Sequence, residues 1–553
     1  MKRKLVVLSA LLALCAALQV PVASAAEGDT AEDVTVQSLA ADQITVAITV
    51  FKPAAASAEA LVPVIFDSHG WGGTRRSTID GTVQGLLDAG FGVVSIDQRG
   101  HGATGGLRNV QDPALEAQDI KAVIDYTAGL DWVQHNVDEE GEPIANDPLL
   151  GAIGGSYGGG YQTITALTEL SESGHTRFDV LAPEITWYDL PEALAPQGVA
   201  RSAWNVLLYA VAKAPENKMP EFIDQGFAYG TATGQWPDGT VPAVPNLDAI
   251  FHDHSPIGFA EDGVMLDMPV LMRQGITDNL FNLNQGIHNF QDALTDEARA
   301  KSLFVGYNGG HVLPAVGATL PQGTAPGGDP CSDEREGGWN QLRIDFFKAA
   351  FADLTEDPFP GQGGGPGQLP PQVPPGVPGP PNDEDTTTLL PSQYNLATDG
   401  NTCLHLDELP TELTEYSVDP AGAGGWGTPT GAFAPHSYEL ASGPITVAGI
   451  PRLSGDLFAA AADTRAFFAL SQGTSLADAK VIQNNMMPLR SLLPATGESF
   501  EIELPGIAAE IPAGQKLFLT ISPISDQSFG HGSRTPGMMV FTDMTVHVPV
   551  VSP

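Results

Sequence analysis

Gly154-Gly155-Ser156-Tyr157-Gly158 follows a short apolar run, residues 149–153, and precedes a helical pattern over residues 161–170. Glycines two positions before and two positions after a serine allow the sharp strand-to-helix turn that exposes a nucleophilic hydroxyl. The pattern occurs once in the chain, although a protein with 62 glycines can contain it by chance. Its context between a strand and a helix predicts that Ser156 is a nucleophile at the carboxyl end of a central strand.

Short apolar runs alternate with amphipathic helical patterns on both sides of this turn. The helices include residues 115–133, with apolar positions on one face. Each predicted strand is a short apolar run of the kind found in the interior of a sheet. The predicted strands cover residues 61–66, 91–96, 149–153, 180–187, 269–273 and 303–306. Strands separated by helices favour a parallel sheet in an α/β fold.

A serine hydroxyl needs a base, and the α/β-hydrolase order places an acid and then a histidine after the serine. Asp278 follows the strand at residues 269–273, and His311 follows Gly309-Gly310 after the last strand. We expect His311 to remove the Ser156 proton while Asp278 orients the imidazole. The alternative for Asp278 is a cap on the helix that follows it.

The oxyanion hole requires N–H donors close to the nucleophile. One predicted donor is the backbone N–H of Tyr157, directly after Ser156. The other is the backbone N–H of Trp71, in the loop at residues 69–73 that follows the first long strand. We interpret His69 in that loop as structural, and residues 97–101 as loop architecture at the same edge of the sheet.

The rest of the chain divides into regions of different composition. Residues 26–356 are the predicted catalytic domain, with a weakly periodic insertion at about 189–267 that is either a lid or a surface excursion without a gating role. Residues 357–384 are rich in proline and glycine and read as a linker. Residues 385–553 contain short β-like stretches between turns, which predicts an all-β sandwich of jelly-roll type.

The N-terminus and the charge bear on localisation. Residues 1–25 combine a basic start, an apolar segment and Ala23-Ser24-Ala25, which is typical of a secretory signal peptide. We therefore expect a secreted or periplasmic protein.

The formal net charge of −41 disfavours nucleic acid and anionic lipid as partners. No later stretch of sequence is apolar over the length of a membrane span.

Cys331 and Cys403 remain after the signal peptide. In an oxidising compartment such a pair favours a disulfide, with two separately buried thiols as the alternative. Because the two cysteines flank the proline-rich segment, we expect the bond to join the two domains. No cluster of histidine and cysteine has the spacing of a metal site, and no cofactor is predicted.

Several motifs together resemble the X-Pro dipeptidyl-peptidase-like family, which includes the CocE/NonD acyl hydrolases. The residues that carry the resemblance are the Ser156 turn, Asp97-x-Arg99-Gly100-x-Gly102, Gly275-x-x-Asp278 and Gly309-Gly310-His311. The resemblance implies an α/β-hydrolase domain followed by a β-sandwich. One departure is His69-Gly70-Trp71-Gly72, which stands where many members carry a tyrosine that donates to the oxyanion.

These features predict a serine hydrolase that cleaves a small-molecule ester, an amide or a short peptide through an acyl-enzyme on Ser156. An acyl esterase is favoured. The first alternative is an X-Pro dipeptidyl aminopeptidase, which needs carboxylates for the free amine of its substrate; Glu216, Glu221 and Asp224 are the candidates. The second alternative is a non-catalytic surface protein that binds a glycan through the β-domain.

Overall fold

The computed structural model describes residues 28–214, 216–313, 327–354, 389–418, 426–429, 435–528, 530, 533 and 538–551. The predicted signal peptide and linker lie outside these residues. The N-terminal part of the chain forms a ten-stranded sheet in the order β1-β2-β4-β3-β7-β8-β9-β10-β11-β12. Its strands, with the small hairpin β5–β6, are β1 Thr30–Gln37, β2 Thr45–Lys52, β3 Val64–Ser68, β4 Gly92–Ile96, β5 His135–Val137, β6 Pro143–Pro148, β7 Leu150–Gly155, β8 Val180–Glu184, β9 Leu271–Gly275, β10 Leu303–Tyr307, β11 Tyr394–Ala397 and β12 Cys403–Leu406.

The seven strands from β4 to β11 in this order pair in parallel, whereas β1, β2 and β12 pair antiparallel at the edges. Helices cover both faces of the sheet and bury the apolar side chains of its strands. The described helices are α1 Gly81–Asp88, α2 Glu116–Ala128, α3 Tyr157–Ser173, α4 Leu190–Leu194, α5 Ser202–Lys213, α6 Glu221–Thr233, α7 Leu247–Asp253, α8 Pro256–Glu261, α9 Leu283–Asp292, α10 Asp296–Ala300 and α11 Gly338–Ala352. The predicted α/β architecture is confirmed. None of these helices has the length and apolar character needed to cross a membrane.

The insertion predicted at residues 189–267 consists of α4 to α8. Its helices bury a cluster of aromatic and aliphatic side chains that also includes Tyr157 and Phe281 from the sheet side. The weak periodicity of this segment has a physical cause, because short helices that pack on several sides carry apolar residues on more than one face. The insertion is therefore a packed helical layer above the Ser156 turn.

The C-terminal part of the chain is all-β, as predicted. Its described strands form three sheets, and all three contribute side chains to one apolar core. The strands are β13 Thr414–Val418, β14 Trp426–Pro429, β15 His436–Ser442, β16 Ile445–Gly449, β17 Arg452–Ala459, β18 Thr464–Gly473, β19 Lys480–Val481, β20 Met487–Ser491, β21 Ala495–Glu503, β22 Ile507–Ile511, β23 Lys516–Ser522, β24 Met538–Val548 and β25 Val550–Val551. The assignment of this domain to the jelly-roll type stays a prediction.

The predicted domain boundary at residue 385 is wrong. Strands β11 and β12 follow the linker in sequence but extend the hydrolase sheet, with β11 parallel to β10. The β-domain therefore begins after β12. The sequence could not indicate this pairing, because the alternation of apolar residues predicts a strand but not its neighbour. The Cys331–Cys403 disulfide, with a sequence separation of 72, joins β12 to the segment before α11. It lies within the hydrolase domain, so the prediction that it connects two domains is also wrong.

The β-domain packs on helix α9 and on the loop after β9. Asn284 donates to the carbonyl of Leu504 at 3.0 Å and accepts from the N–H of Gly506 at 2.6 Å. His288 bridges the two domains, since its imidazole contacts Asp292 of its own helix at 2.6 Å and Glu503 of β21 at 2.9 Å. These contacts fix the position of the β-domain beside the Ser156 site.

His288 predicts a pH-dependent contribution to stability. Burial acts to lower its pKa, but the hydrogen bonds to Asp292 and Glu503 outweigh burial and raise the pKa to about 9. The stabilisation is complete below pH about 6.5, where histidine is protonated in the unfolded chain, and is lost as the pH rises through about 9. We expect the unfolding free energy of the protein, relative to that of His288→Gln, to fall by about 1–3 kcal/mol over this range. Urea titrations of both proteins at several pH values measure the difference, and a constant difference would contradict the prediction.

Candidate active site

Ser156 occupies the turn between β7 and α3. Its backbone has φ 59° and ψ −121°, a strained conformation for a residue with a side chain. Gly158 permits the close approach of the neighbouring loop, because a Cβ there would lie 2.5 Å from the carbonyl oxygen of Ser68. The backbone N–H of Ser156 donates to the carbonyl of Glu184 in β8 at 2.8 Å. The turn is thus held between two strands, with the serine at the carboxyl edge of the sheet.

The structure brings together the three residues that the sequence singles out. Ser156 Oγ lies 2.8 Å from Nε2 of His311, and Nδ1 of His311 lies 2.7 Å from Oδ2 of Asp278. The carboxylate accepts the Nδ1 hydrogen, so Nε2 carries the lone pair and faces the Ser156 hydroxyl. The Asp278 side chain is fully buried, whereas the side chain of His311 is 16% exposed.

Asp278 holds its own loop as well as the imidazole. Its Oδ1 accepts from the backbone N–H groups of Leu280 and Phe281 at 2.9 and 2.7 Å. Oδ2 also accepts from the backbone N–H of His311 at 2.9 Å. The alternative role of Asp278 as a helix cap is not found, because α9 begins at Leu283 and its N-cap residue is Asn282. Asp278 instead caps a turn before that helix.

The loop of His311 depends on the glycines before it. Gly310 has φ 103°, and a Cβ there would lie 2.6 Å from Oδ2 of Asp278. The imidazole then packs edge to face against Phe281 and Trp204, with ring centroids 5.2 and 5.7 Å away. These rings restrict the histidine to the orientation that faces Ser156.

The predicted oxyanion loop lies against the nucleophile. A Cβ at Gly70 would lie 3.6 Å from Cβ of Ser156. The indole N–H of Trp71 donates to the carbonyl of Leu208 in the insertion at 3.1 Å, which ties the loop to helix α5. The backbone N–H groups of Trp71 and Tyr157 stay predicted oxyanion donors.

The polar residues around the Ser156 turn contact the neighbouring loops, and their structural roles stay a prediction. His69 accepts from the backbone N–H of Gln98 at 3.2 Å, and burial lowers the pKa of its imidazole. His101 packs against the rings of Trp71 and Tyr157, with centroids 5.4 and 5.5 Å away. Two ion pairs anchor the same loops, between Asp97 and Arg75 and between Arg99 and Asp119.

A small apolar cavity opens beside Ser156. Its volume is about 50 Å³. Residues of the insertion form much of its wall, and the complete lining is Trp71, Val110, Ser156, Tyr157, Trp187, Leu190, Leu194, Leu208, Tyr209, Met219, Phe227, Leu280 and Phe281. No carboxylate belongs to this described lining. We call it the acyl cavity.

The acidic residues proposed for an amine pocket lie elsewhere. Glu216 is 75% exposed and faces Lys218, and Asp224 forms an ion pair with Lys213 at 2.6 Å. Glu221 is exposed and accepts from Gln225 one turn along helix α6. Glu216 and Glu221 are thus exposed charges, and Asp224 is a partly buried acid that is paired with Lys213.

A group of potential metal ligands lies at the edge strand β12 of the sheet. Glu334, Cys403 and His405 place one ligand atom each within 4.8 Å of one another. Cys403 is bonded to Cys331, so it has no thiolate to offer a metal. His405 instead contacts Glu334 at 3.0 Å.

The sequence of the domain that carries this site matches a known family. Residues 42–312 match the family described as X-Pro dipeptidyl-peptidase (S15 family). The hydrolase domain belongs to this family. The family is one of serine hydrolases, and the matched residues include Ser156, Asp278 and His311.

Solved structures with low sequence identity share the fold over nearly the whole chain. A CocE/NonD family hydrolase from Staphylococcus aureus is 13% identical with a TM-score of 0.62, and the alignment covers 97% of this chain and 99% of that one. An α-amino acid ester hydrolase has the same identity and TM-score, covering 96% and 98%. An aminopeptidase from a marine sediment archaeon of the Thaumarchaeota is 12% identical with a TM-score of 0.61, covering 97% and 99%. The uncharacterized protein YcjY of Escherichia coli (strain K12) is 29% identical over 103 residues, which span 18% of this chain and 30% of that protein.

The S15-family domain receives a contact from the β-domain that the sequence does not predict. Asn485 is 2% exposed, and its amide donates to the backbone carbonyl of Asp278 at 2.7 Å. Gln527 donates to Asn485 Oδ1 at 3.2 Å, and its own oxygen accepts from Arg201 of the insertion at 2.5 Å. No local signal distinguishes Asn485 in the sequence, because its role depends on contact between residues 207 positions apart.

Asn485→Ala is expected to lower kcat about 10- to 100-fold with little change in KM. The substitution frees the carbonyl of Asp278, and a displacement of about 1 Å in a catalytic group costs about 100-fold in rate. Asn284→Ala is the matched control, since it removes interdomain hydrogen bonds that do not reach the Asp278 loop. Steady-state kinetics of both variants test this, and equal kcat values in both would contradict it.

Proposed function

We propose that the protein is an esterase that transfers an apolar acyl group to Ser156 and then to water. The observation that carries the proposal is the pair of hydrogen bonds from His311, to Ser156 at 2.8 Å and to Asp278 at 2.7 Å, beside an apolar cavity. Ser156, His311 and Asp278 act as a catalytic triad. The membership of the domain in a family of serine hydrolases supports this assignment.

The proposed reaction has two stages. Nε2 of His311 takes the Ser156 proton as Oγ attacks the ester carbonyl, and Asp278 stabilises the imidazolium. The backbone N–H groups of Tyr157 and Trp71 receive the developing oxyanion. The imidazolium then protonates the leaving alkoxide, and a water molecule activated by the same imidazole releases the acid and regenerates the serine.

The acyl cavity supports esters of short apolar acids as substrates. Its described lining is aromatic and aliphatic except for Ser156, so an acyl chain gains by leaving water there. An ammonium group would lose its hydration in this cavity without meeting a carboxylate, which costs several kcal/mol. An acyl group without charge is therefore favoured over a substrate with a free amine.

Turnover of matched chromogenic substrates tests this assignment. We expect hydrolysis of p-nitrophenyl acetate and p-nitrophenyl butyrate, and loss of that activity in Ser156→Ala. Ala-Pro-p-nitroanilide tests the alternative, an X-Pro dipeptidyl aminopeptidase, which the family description and the likeness to an archaeal aminopeptidase favour. Faster cleavage of the anilide than of either ester would replace the esterase by the peptidase. The non-catalytic alternative is set aside by the family membership.

We also propose that the protein is exported. Support comes from the signal-like composition of residues 1–25 and from the Cys331–Cys403 disulfide, which is typical of an oxidising compartment. N-terminal sequencing of the mature protein from the periplasm or the medium is the test. The expected first residue is Ala26, and an intact Met1 in the cytoplasmic fraction would contradict export.

A further inference from the structure

A second, larger cavity lies between the insertion, helix α9 and the β-domain. Its volume is about 340 Å³, within the range of pockets that bind small molecules. Most of its lining side chains are polar or charged, and those that bear on its chemistry are Asp189, Glu192, Arg201, His288, Met487 and Glu503. We call it the interdomain cavity.

Helix α4 separates this cavity from the acyl cavity. Leu190 and Leu194 line the acyl cavity. Asp189 and Glu192, the residue before the helix and its third residue, line the interdomain cavity. The two cavities share no lining residue. The polar cavity is therefore a separate space, and the proposed reaction at Ser156 does not use it.

Arg201 is a buried cation without a carboxylate in direct contact among the described residues. It is 2% exposed, and among the described residues Glu192 and Asp278 act on it through their charge without a direct ion pair. Its Nη1 donates to the carbonyl of Asn279 at 3.0 Å and to Gln527 Oε1 at 2.5 Å, whereas its Nε has no partner. A guanidinium offers five donors that suit a carboxylate, so the unused donors favour an anionic group in the cavity.

Two acidic side chains with few hydrogen-bond donors line the same cavity. Asp189 Oδ1 accepts only from the backbone N–H of Glu192 at 3.0 Å, and Glu192 Oε2 accepts from that of Gln197 at 3.1 Å. Burial raises the pKa of Glu192 to about 8, and the nearby charge of Asp189 adds to this effect. Burial likewise lowers the pKa of Arg201 to about 10. At neutral pH the cavity therefore holds the charged guanidinium of Arg201 beside a largely protonated Glu192, which a bound cation would favour in its ionised form.

We propose that the interdomain cavity binds a small zwitterion, an α-amino acid with an apolar side chain. Its carboxylate meets Arg201 and its ammonium group meets Asp189 and Glu192. Met487 and Ile502 of the β-domain, with Ile257 of the insertion, provide apolar surface for the side chain. A simple anion would leave Asp189 and Glu192 without a cation, and a simple cation would leave Arg201 without an anion, so a molecule that carries both charges is favoured.

Isothermal titration calorimetry with L-leucine tests the proposal on the full protein. N-acetyl-L-leucine lacks the ammonium group and L-leucinamide lacks the carboxylate, so we expect each to bind at least about tenfold more weakly than leucine. Absence of binding by leucine at about 10 mM, or equal affinity for all three molecules, would overturn the proposal. Neither result depends on whether the protein hydrolyses esters.

Variants locate the binding site. We expect Glu192→Gln to weaken leucine binding about tenfold. The affinities for leucinamide and N-acetyl-leucine, which are already low in the wild-type protein, are expected to stay low. Glu261→Gln is the matched control, because Glu261 is an exposed acid of the same insertion and contacts His252 rather than the cavity. An equal affinity of both variants for leucine would place the ligand elsewhere and overturn the assignment. The comparison of the three ligands on the wild-type protein keeps the test decisive if Glu192→Gln does not fold.

Discussion

Ser156→Ala is expected to lower kcat for p-nitrophenyl butyrate by about five to six orders of magnitude. The hydroxyl is the group that forms the acyl-enzyme, and alanine leaves His311 without an atom to deprotonate. The remaining rate comes from the oxyanion donors and from binding, which act without the nucleophile. KM is expected to change little, because the lining of the acyl cavity is otherwise intact.

The decisive measurement combines steady-state kinetics with covalent labelling. A fluorophosphonate probe should modify the wild-type protein at Ser156 and should not modify the variant. Ser68→Ala is the matched control, because the backbone of Ser68 lies beside the turn while its hydroxyl donates to the carbonyl of Ile96. Thermal unfolding verifies that both variants fold. A Ser156→Ala protein with more than about a hundredth of the wild-type rate would contradict the assignment of the nucleophile.

The site was predictable because each of its residues has a local sequence signal. Ser156 is flanked by glycines after a strand, Asp278 follows the glycine that ends β9, and His311 follows two glycines after β10. In a parallel sheet the carboxyl ends of neighbouring strands lie at one edge, so three local signals become one site. The glycine before His311 is required by geometry, since a side chain at Gly310 would collide with Asp278.

The parts that the sequence did not predict depend on contacts between distant segments. Strands β11 and β12 join the hydrolase sheet although the linker separates them from it, and this changes the role of the disulfide at Cys403. Asn485 and Arg201 reach the Asp278 loop from the β-domain and the insertion. Periodicity indicates which residues are buried, but it does not indicate which residues pack together.

Asp278→Asn is expected to lower kcat about 10⁴-fold while changing the stability of the protein much less than Asp278→Ala. The two carboxylate oxygens have different tasks. The amide oxygen of asparagine can replace Oδ1 and accept from the N–H groups of Leu280 and Phe281. The amide nitrogen then takes the position of Oδ2, where it faces two donors, the backbone N–H and Nδ1–H of His311.

The imidazole of His311 avoids facing the amide with a second donor by adopting the tautomer that carries its hydrogen on Nε2. Nε2 then donates to Ser156 and cannot accept the serine proton. In Asp278→Asn the activity is lost because His311 adopts the wrong tautomer, whereas the turn at Leu280 is retained. Asp278→Ala removes both oxygens, so the N–H groups of Leu280 and Phe281 also lose their acceptor. We therefore expect the alanine variant to lose about 1–3 kcal/mol more unfolding free energy than the asparagine variant. Measuring kcat and urea unfolding for both variants separates the two tasks. If both variants lose the same stability, Oδ1 does not hold the turn; if Asp278→Asn retains more than about a tenth of the wild-type kcat, Oδ2 does not set the tautomer of His311.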